Sequence, residues 1–142
     1  MAQKIVKHVK DMVAEANKEV EITPVVDASK YFEDSKYVFV DIRDPREIQR
    51  EGKIPNSFSC PRGMLEFWID PDSPYHKEIF NQDKKYVFYC AAAGRSALAA
   101  KAAQDMGLSP VSYQFICESR RFIYSRDFKK LHTSIRKWQQ NN

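Results

Sequence analysis

Cysteine is sparse in this chain. Cys60, Cys90 and Cys117 are the only three in 142 residues, and no two form a C-x-x-C pair. Scattered cysteines of this kind argue against a disulfide framework or a zinc site. Long apolar runs are absent too: none approaches the roughly 20 residues needed to cross a bilayer. The N-terminus, Met1-Ala2-Gln3-Lys4, leads into a charged amphipathic stretch without the apolar core of a secretion signal. These features set the expected location in a reducing cytoplasm, with no membrane partner. The three histidines, His8, His76 and His132, are isolated from the cysteines in sequence, so no Cys/His nucleophile pair is written locally. No glycine follows Gly107, and neither internal repeats nor low-complexity segments occur.

What is present suits one domain. The chain is 43% hydrophobic and 13% aromatic, enough to fill a single core. The net charge of +4 is unevenly spread. Residues 1–117 carry a net of −1, and residues 118–142 carry +5. A basic tail of this sort is read as a solvated face. Tyr113, Phe115, Phe122 and Tyr124 are interleaved with its arginines, but no nucleic-acid module is visible, and no nucleic-acid partner is expected.

Period and punctuation define the elements. Ile5, Val6, Val9, Met12, Val13 and Ala16 share a helical face, which predicts an amphipathic helix over residues 3–18. Glu21–Pro24 reads as a short edge strand. Asp27 caps an expected helix through Asp34, with Ala28, Tyr31 and Phe32 inward. Tyr37–Ile42 is a near-continuous apolar strand of the kind buried in parallel sheets. Asp44-Pro45 opens a helix that closes near Gly52. Ser57–Cys60 is a short strand, Gly63–Ile69 a short helix, and residues 70–74 a loop. Tyr86–Tyr89 is the central strand. Ser96–Met106 is an Ala-rich helix closed by Gly107, and Val111–Ile116 is the last strand. Strands alternating with helices predict an α/β fold with a parallel sheet. Three parts result: an N-terminal helix over 1–19, a core domain over 20–116, and a basic segment over 117–142. In that segment Phe128, Leu131, Ile135 and Trp138 share one helical face.

The segment from Tyr86 to Ser96, YVFYCAAAGRS, carries the chemistry. An apolar strand ends at Cys90. Ala91, Ala92, Ala93 and Gly94 form a loop of small residues, and Arg95 and Ser96 open a helix. The thiol thus stands at the mouth of a backbone N–H cradle and at a helix N-terminus. Both stabilise an anion, and the thiolate is the nucleophilic form of cysteine. Sites of parallel sheets lie beyond the carboxyl ends of the strands, which is where Cys90 falls. The bland alternative is a buried core thiol. Arg95 either pairs with a carboxylate, Asp41 or Glu47, or faces an anionic substrate; both roles stay open. Cys60 reads as a small strand-end residue or as a resolving thiol.

The spacing Cys90 to Arg95, C-x4-R, resembles the active-site loop of rhodanese domains. Other segments extend the resemblance over about residues 20 to 112. VFVDIRDPRE (38–47) looks like the family's strand ending in D-[IV]-R. EGKIPNS (51–57) looks like its G-H-I-P-G-A segment, with Lys53 in place of the usual His and Asn56 in place of the usual Gly. PRGMLEFW (61–68) and SPYHK (73–77) fit a bacterial single-domain member. The resemblance implies a rhodanese-like fold with a central, mostly parallel sheet of about five strands flanked by helices. It implies a sulfurtransferase in which Cys90 carries a persulfide and residues 91–96 cradle its terminal sulfur. The implied substrates are a small-molecule sulfane donor, thiosulfate or a persulfide, and a thiol or cyanide acceptor, with a protein persulfide as a further partner. It implies no cofactor and no metal. Phosphatase-type loops use C-x5-R, one residue longer and wide enough for phosphate. The alternatives are a phosphatase or arsenate reductase of this fold, or a non-catalytic rhodanese-like binding module. The uncharged Ala91, Ala92 and Ala93 leave the donor open. After Gly107 the family usually continues with a Gly-Gly pair, an aromatic and a Trp-bearing helix. This chain instead reads SYQFICESRR over 112–121. A divergent C-terminus and a shifted reading frame both account for that.

Overall fold

The computed structural model describes residues 3–24 and 29–115. Helix α1 (Val9–Glu19) leads into β1 (Glu21–Pro24). Strand β2 (Tyr37–Asp41) is followed by α2 (Pro45–Glu51), the two-residue β3 (Phe58–Ser59) and α3 (Leu65–Ile69). Strand β4 (Lys85–Tyr89), α4 (Gly94–Asp105) and β5 (Val111–Phe115) complete it. The five strands lie in the order β1-β5-β4-β2-β3, and every pairing is parallel. This is the α/β architecture expected of the sequence.

The order places a switch point beside the candidate site. From β2 the chain crosses to β3 on one side; from β4 it crosses to β5 on the other. A crevice therefore opens between the carboxyl ends of β2 and β4, the usual ligand position in such sheets. Cys90 leaves β4 there, and Ile42 and Arg43 leave β2 beside it.

Strand alternation divides the interior. Val38, Val40, Ile42, Tyr86, Phe88 and Cys90 join the main apolar cluster with Ala97, Ala99, Ala100 and Ala103 of α4, Ala16 of α1, and Leu65 and Ile69 of α3. The alanines let α4 sit close on the sheet, which fixes the height of the helix start over Cys90. On alternate positions Phe39 meets Phe32 edge-on at 5.1 Å, and Asp41, Arg43 and Tyr89 form a buried polar group.

Several boundaries differ from the expectation. The first helix begins at Val9, not at residue 3, and only its second half packs. Ala16 is buried, whereas Ile5, Val6, Val9 and Met12 are exposed. Asn17 reaches the Tyr113 hydroxyl, and the Glu19 carbonyl accepts from the Gln104 side chain at 2.9 Å. The partners on β5 and α4 thus anchor the C-terminal half of the helix. In place of a helix over Asp27–Asp34, the described residues form one 3-10 turn, Ser29–Tyr31, whose Tyr31 stacks on Tyr37 at 4.2 Å. Residues 25–28 lie outside the described residues. The short helix after β3 starts as a 3-10 turn, Arg62–Met64, before α3. Ile116, Cys117 and the face of Phe128, Leu131, Ile135 and Trp138 lie outside the described residues. Among the described residues no helix is long and apolar enough to cross a membrane.

Candidate active site

The carboxyl ends of β2, β3 and β4 are braced by one buried cation. The Arg43 side chain is fully buried. It donates from Nη2 to Asp41 Oδ2 at 2.7 Å and from Nε to Asp41 Oδ1 at 3.0 Å. It also donates to the Gly52 carbonyl at 2.8 Å and to Glu51 at 3.3 Å. Two residues apart on an extended strand end, Asp41 and Arg43 fall on the same face, so the pair is local. The Tyr89 ring lies 5.9 Å from the Arg43 guanidinium carbon. The Tyr89 hydroxyl donates to Ser57 at 2.8 Å and accepts from the Ile54 N–H at 3.3 Å. Burial, followed by the Asp41 charge, holds the Tyr89 phenol above its ordinary range, so it stays a neutral donor. The Cys60 N–H donates to the Asp41 carbonyl at 2.8 Å, extending the brace past β3.

On this brace the Cys90 loop turns into α4. Cys90 is 1% exposed. The Ser96 N–H donates to Cys90 Sγ at 3.4 Å, and the Ser96 Oγ lies 3.4 Å from the same sulfur, accepting from the thiol. The Ser96 hydroxyl donates to the Ala93 carbonyl at 3.0 Å. Ala93 has φ 69° and ψ −21°, a left-handed conformation. For a residue with a Cβ that conformation costs about 1–2 kcal/mol. It is held here by the Ser96 hydroxyl and by the Ala97 N–H, which donates to the same carbonyl at 2.9 Å. The turn tips Ser96 and the first turn of α4 back over the sulfur. Ala91, Ala92, Gly94 and Arg95 stand at the partly exposed rim, while Ala93 and Ser96 are buried beneath it.

Arg95 does not pair with Asp41, which Arg43 occupies. Its partner is Glu47 of α2. Nη1 donates to Oε1 at 2.9 Å and Nη2 to Oε2 at 3.0 Å, a bidentate pair across the switch-point crevice. The bond to Arg95 holds the Glu47 carboxyl below its ordinary value. The Arg95 guanidinium is raised in turn, chiefly by Glu47 and with a smaller contribution from the Cys90 charge. Of the two roles open from sequence, the carboxylate clamp is the one adopted.

Cys60 is fully buried, and burial pushes its thiol up to about 12. It is a protonated core residue and a poor resolving thiol. The brace of Arg43 and Tyr89 had no role in the sequence reading. Its only local signal was the D-x-R spacing at the end of β2.

A buried thiol at the switch point of a five-stranded parallel sheet, under a short loop of small residues, is the candidate reactive group of this α/β fold. Residues 25–140 match the family model described as rhodanese-like domain, and the chain belongs to that family. Among solved structures it is similar to a protein of unknown function, possible tyrosine phosphatase, from Rhodopseudomonas palustris CGA009. That likeness is 60% identical, covers 81% of this chain and 89% of the other, and has a TM-score of 0.79. The polysulfide-sulfur transferase homodimer of Wolinella succinogenes is 26% identical over 80% of each chain, with a TM-score of 0.56. A single-domain sulfurtransferase of Saccharomyces cerevisiae is 21% identical over 72% of this chain and 88% of its own. Its TM-score is 0.56, and the likeness is one of fold. No curated protein matches the chain.

Proposed function

We propose that the protein is a sulfurtransferase that carries a sulfane sulfur on Cys90. The observation that carries the reading is the Cys90 sulfur under the Ser96 N–H and hydroxyl, both at 3.4 Å, at the start of α4. Membership of the rhodanese-like family supports it.

The Cys90 thiolate attacks the outer sulfur of a donor. A Cys90 S–S bond forms as the donor's S–S bond breaks. The bonding pair leaves on sulfite when the donor is thiosulfate, or on a thiolate when it is a persulfide. The terminal sulfur of the Cys90 persulfide retains the negative charge and sits in the amides of residues 91–96. These fixed donors lose little reorganisation energy as charge moves between sulfurs. A thiol or cyanide acceptor then takes the terminal sulfur and returns the Cys90 thiolate. The cycle is a two-step covalent transfer. The reading places the reaction in a reducing compartment and gives it small-molecule partners, a protein persulfide being the larger version of the same donor.

The similarity to a possible tyrosine phosphatase brings a second reading, aryl phosphate hydrolysis. The geometry disfavours it. Arg95 is held in two bonds by Glu47 and is not presented to a phosphate. The C-x4-R loop is also one residue shorter than the phosphatase type. Parallel assays on one preparation decide between them. The expected outcome is sulfur uptake from thiosulfate or a small persulfide with no aryl phosphate turnover. Brisk phosphatase activity without sulfur uptake would overturn the proposal.

A further inference from the structure

Glu47 holds the one arginine of the Cys90 loop, and it does so from a different element. Its carboxylate reaches across the crevice from α2 and takes both terminal nitrogens of Arg95 at 2.9 and 3.0 Å. Glu47 is the more buried of the two, with its side chain 22% exposed against 47% for Arg95. The clamp therefore closes at the partly exposed rim of the Cys90 loop. It cancels the charge of a cation that would otherwise face that donor. Arg46, on the same helix, is tied to Asp44 at 3.2 Å and adds no compensating free cation at this point. The remaining loop side chains, Ala91, Ala92 and Ala93, carry no charge.

We infer that Glu47 sets the donor class of the site: by neutralising Arg95 it selects a singly charged alkyl or protein persulfide over a dianion such as thiosulfate. The inference rests on the sulfurtransferase reading. Both donors deliver the same atom. With thiosulfate, the Cys90 thiolate takes the outer sulfur and sulfite departs with the electron pair. With a persulfide anion, it takes the terminal sulfur and the alkyl thiolate departs. Net charge is conserved in each case, and no external oxidant or reductant enters. The difference lies in the approach. A dianion meeting a thiolate requires a nearby positive charge, and Glu47 has already taken it. A monoanion requires much less. Glu47 is thus a positioning residue for Arg95 and a determinant of specificity.

The test is sulfur uptake by the full chain, followed by quenched intact-mass measurement, with thiosulfate and 2-hydroxyethyl persulfide as donors. Glu47→Gln removes the counter-charge of Arg95 while keeping the side-chain shape. Its second-order uptake constant for thiosulfate is expected to rise about tenfold, with the persulfide constant staying within about twofold. Glu47→Asp, which keeps the charge, is expected to retain the wild-type ratio. High salt should shrink the gain, since the released charge is near the surface. An unchanged donor ratio in Glu47→Gln, or loss of both donors together, would overturn the inference and leave sulfur transfer standing. Failure of the wild-type chain to take sulfur from either donor would overturn the sulfurtransferase reading itself.

Discussion

Ser96 meets the sulfur of Cys90 twice, through its backbone N–H and through its hydroxyl, each at 3.4 Å. The same hydroxyl donates to the carbonyl of Ala93, the left-handed residue of the loop. One buried side chain therefore serves the Cys90 sulfur and the turn that presents it. When the sulfur is anionic, the hydroxyl can turn its proton towards it and release Ala93.

Ser96→Ala keeps the N–H and removes the hydroxyl. Sulfur uptake is expected to fall about tenfold to a hundredfold, below the cost of losing a dedicated oxyanion donor because the amide remains. Stability is expected to fall by about 1 kcal/mol from the lost bond to Ala93. Stopped uptake assays and urea unfolding measure the two effects. Wild-type uptake rates in this variant would show that the hydroxyl plays no part in holding the sulfur.

Asp41 and Arg43 are both fully buried. Asp41→Asn strips the guanidinium of its closest counter-charge, and a broken buried pair of this kind costs about 3–5 kcal/mol. Replacing both residues with apolar ones of similar size is expected to cost less than either single change. Denaturant midpoints of the three variants check this. A loss below about 1 kcal/mol in Asp41→Asn would mean the pair does not brace the strand ends.

The clamp between Glu47 and Arg95 carries a pH signature. The folded-state carboxyl lies below its ordinary value of 4.5. A depressed carboxylate contributes stability above its unfolded value and loses it as pH falls through the folded one. The stability gap between wild type and Glu47→Gln is therefore expected at neutral pH and should close as pH drops below 4.5. Thermal melts across that range measure it. A gap that persists in acid would assign the effect to packing instead of charge.

Cys60 should behave as an inert core thiol, since burial pushes it up to about 12. Cys60→Ala is expected to leave sulfur uptake within about twofold. In a chain carrying Cys90→Ser and Cys117→Ser, iodoacetamide should label Cys60 at least about a hundredfold slower in the folded state than in urea. Rapid labelling of the folded chain would revive a redox role for it.

Much of this site was legible before folding was considered. The apolar run into Cys90, the small loop and the Ala-rich helix specify a strand, a turn and a helix in close succession. That leaves the thiol at the carboxyl end of a parallel strand. The choice between Asp41 and Glu47 as partner of Arg95 was not legible. Strand geometry puts Asp41 on the same face as Arg43, while helix α2 carries Glu47 out over the crevice. That distinction depends on how two crossovers diverge from neighbouring strands. The bond from Arg43 to the Gly52 carbonyl was hidden for the same reason: it closes a turn around all of α2. The first helix shows a different limit. Periodicity groups Ile5, Val6, Val9 and Met12 with Val13 and Ala16, yet it says nothing about how far the packing partner reaches. Ala16 is buried and the first four are exposed.

The central claim is that Cys90 accepts the sulfur. The most direct measurement is intact mass after incubation with thiosulfate or 2-hydroxyethyl persulfide, followed by peptide mapping without reductant. The expected result is a gain of one sulfur atom, mapped to the peptide that holds Cys90 and absent from Cys90→Ser, whose hydroxyl is not ionised near neutral pH. A sulfur adduct of equal yield in Cys90→Ser, or none in the wild-type chain with either donor, would contradict it.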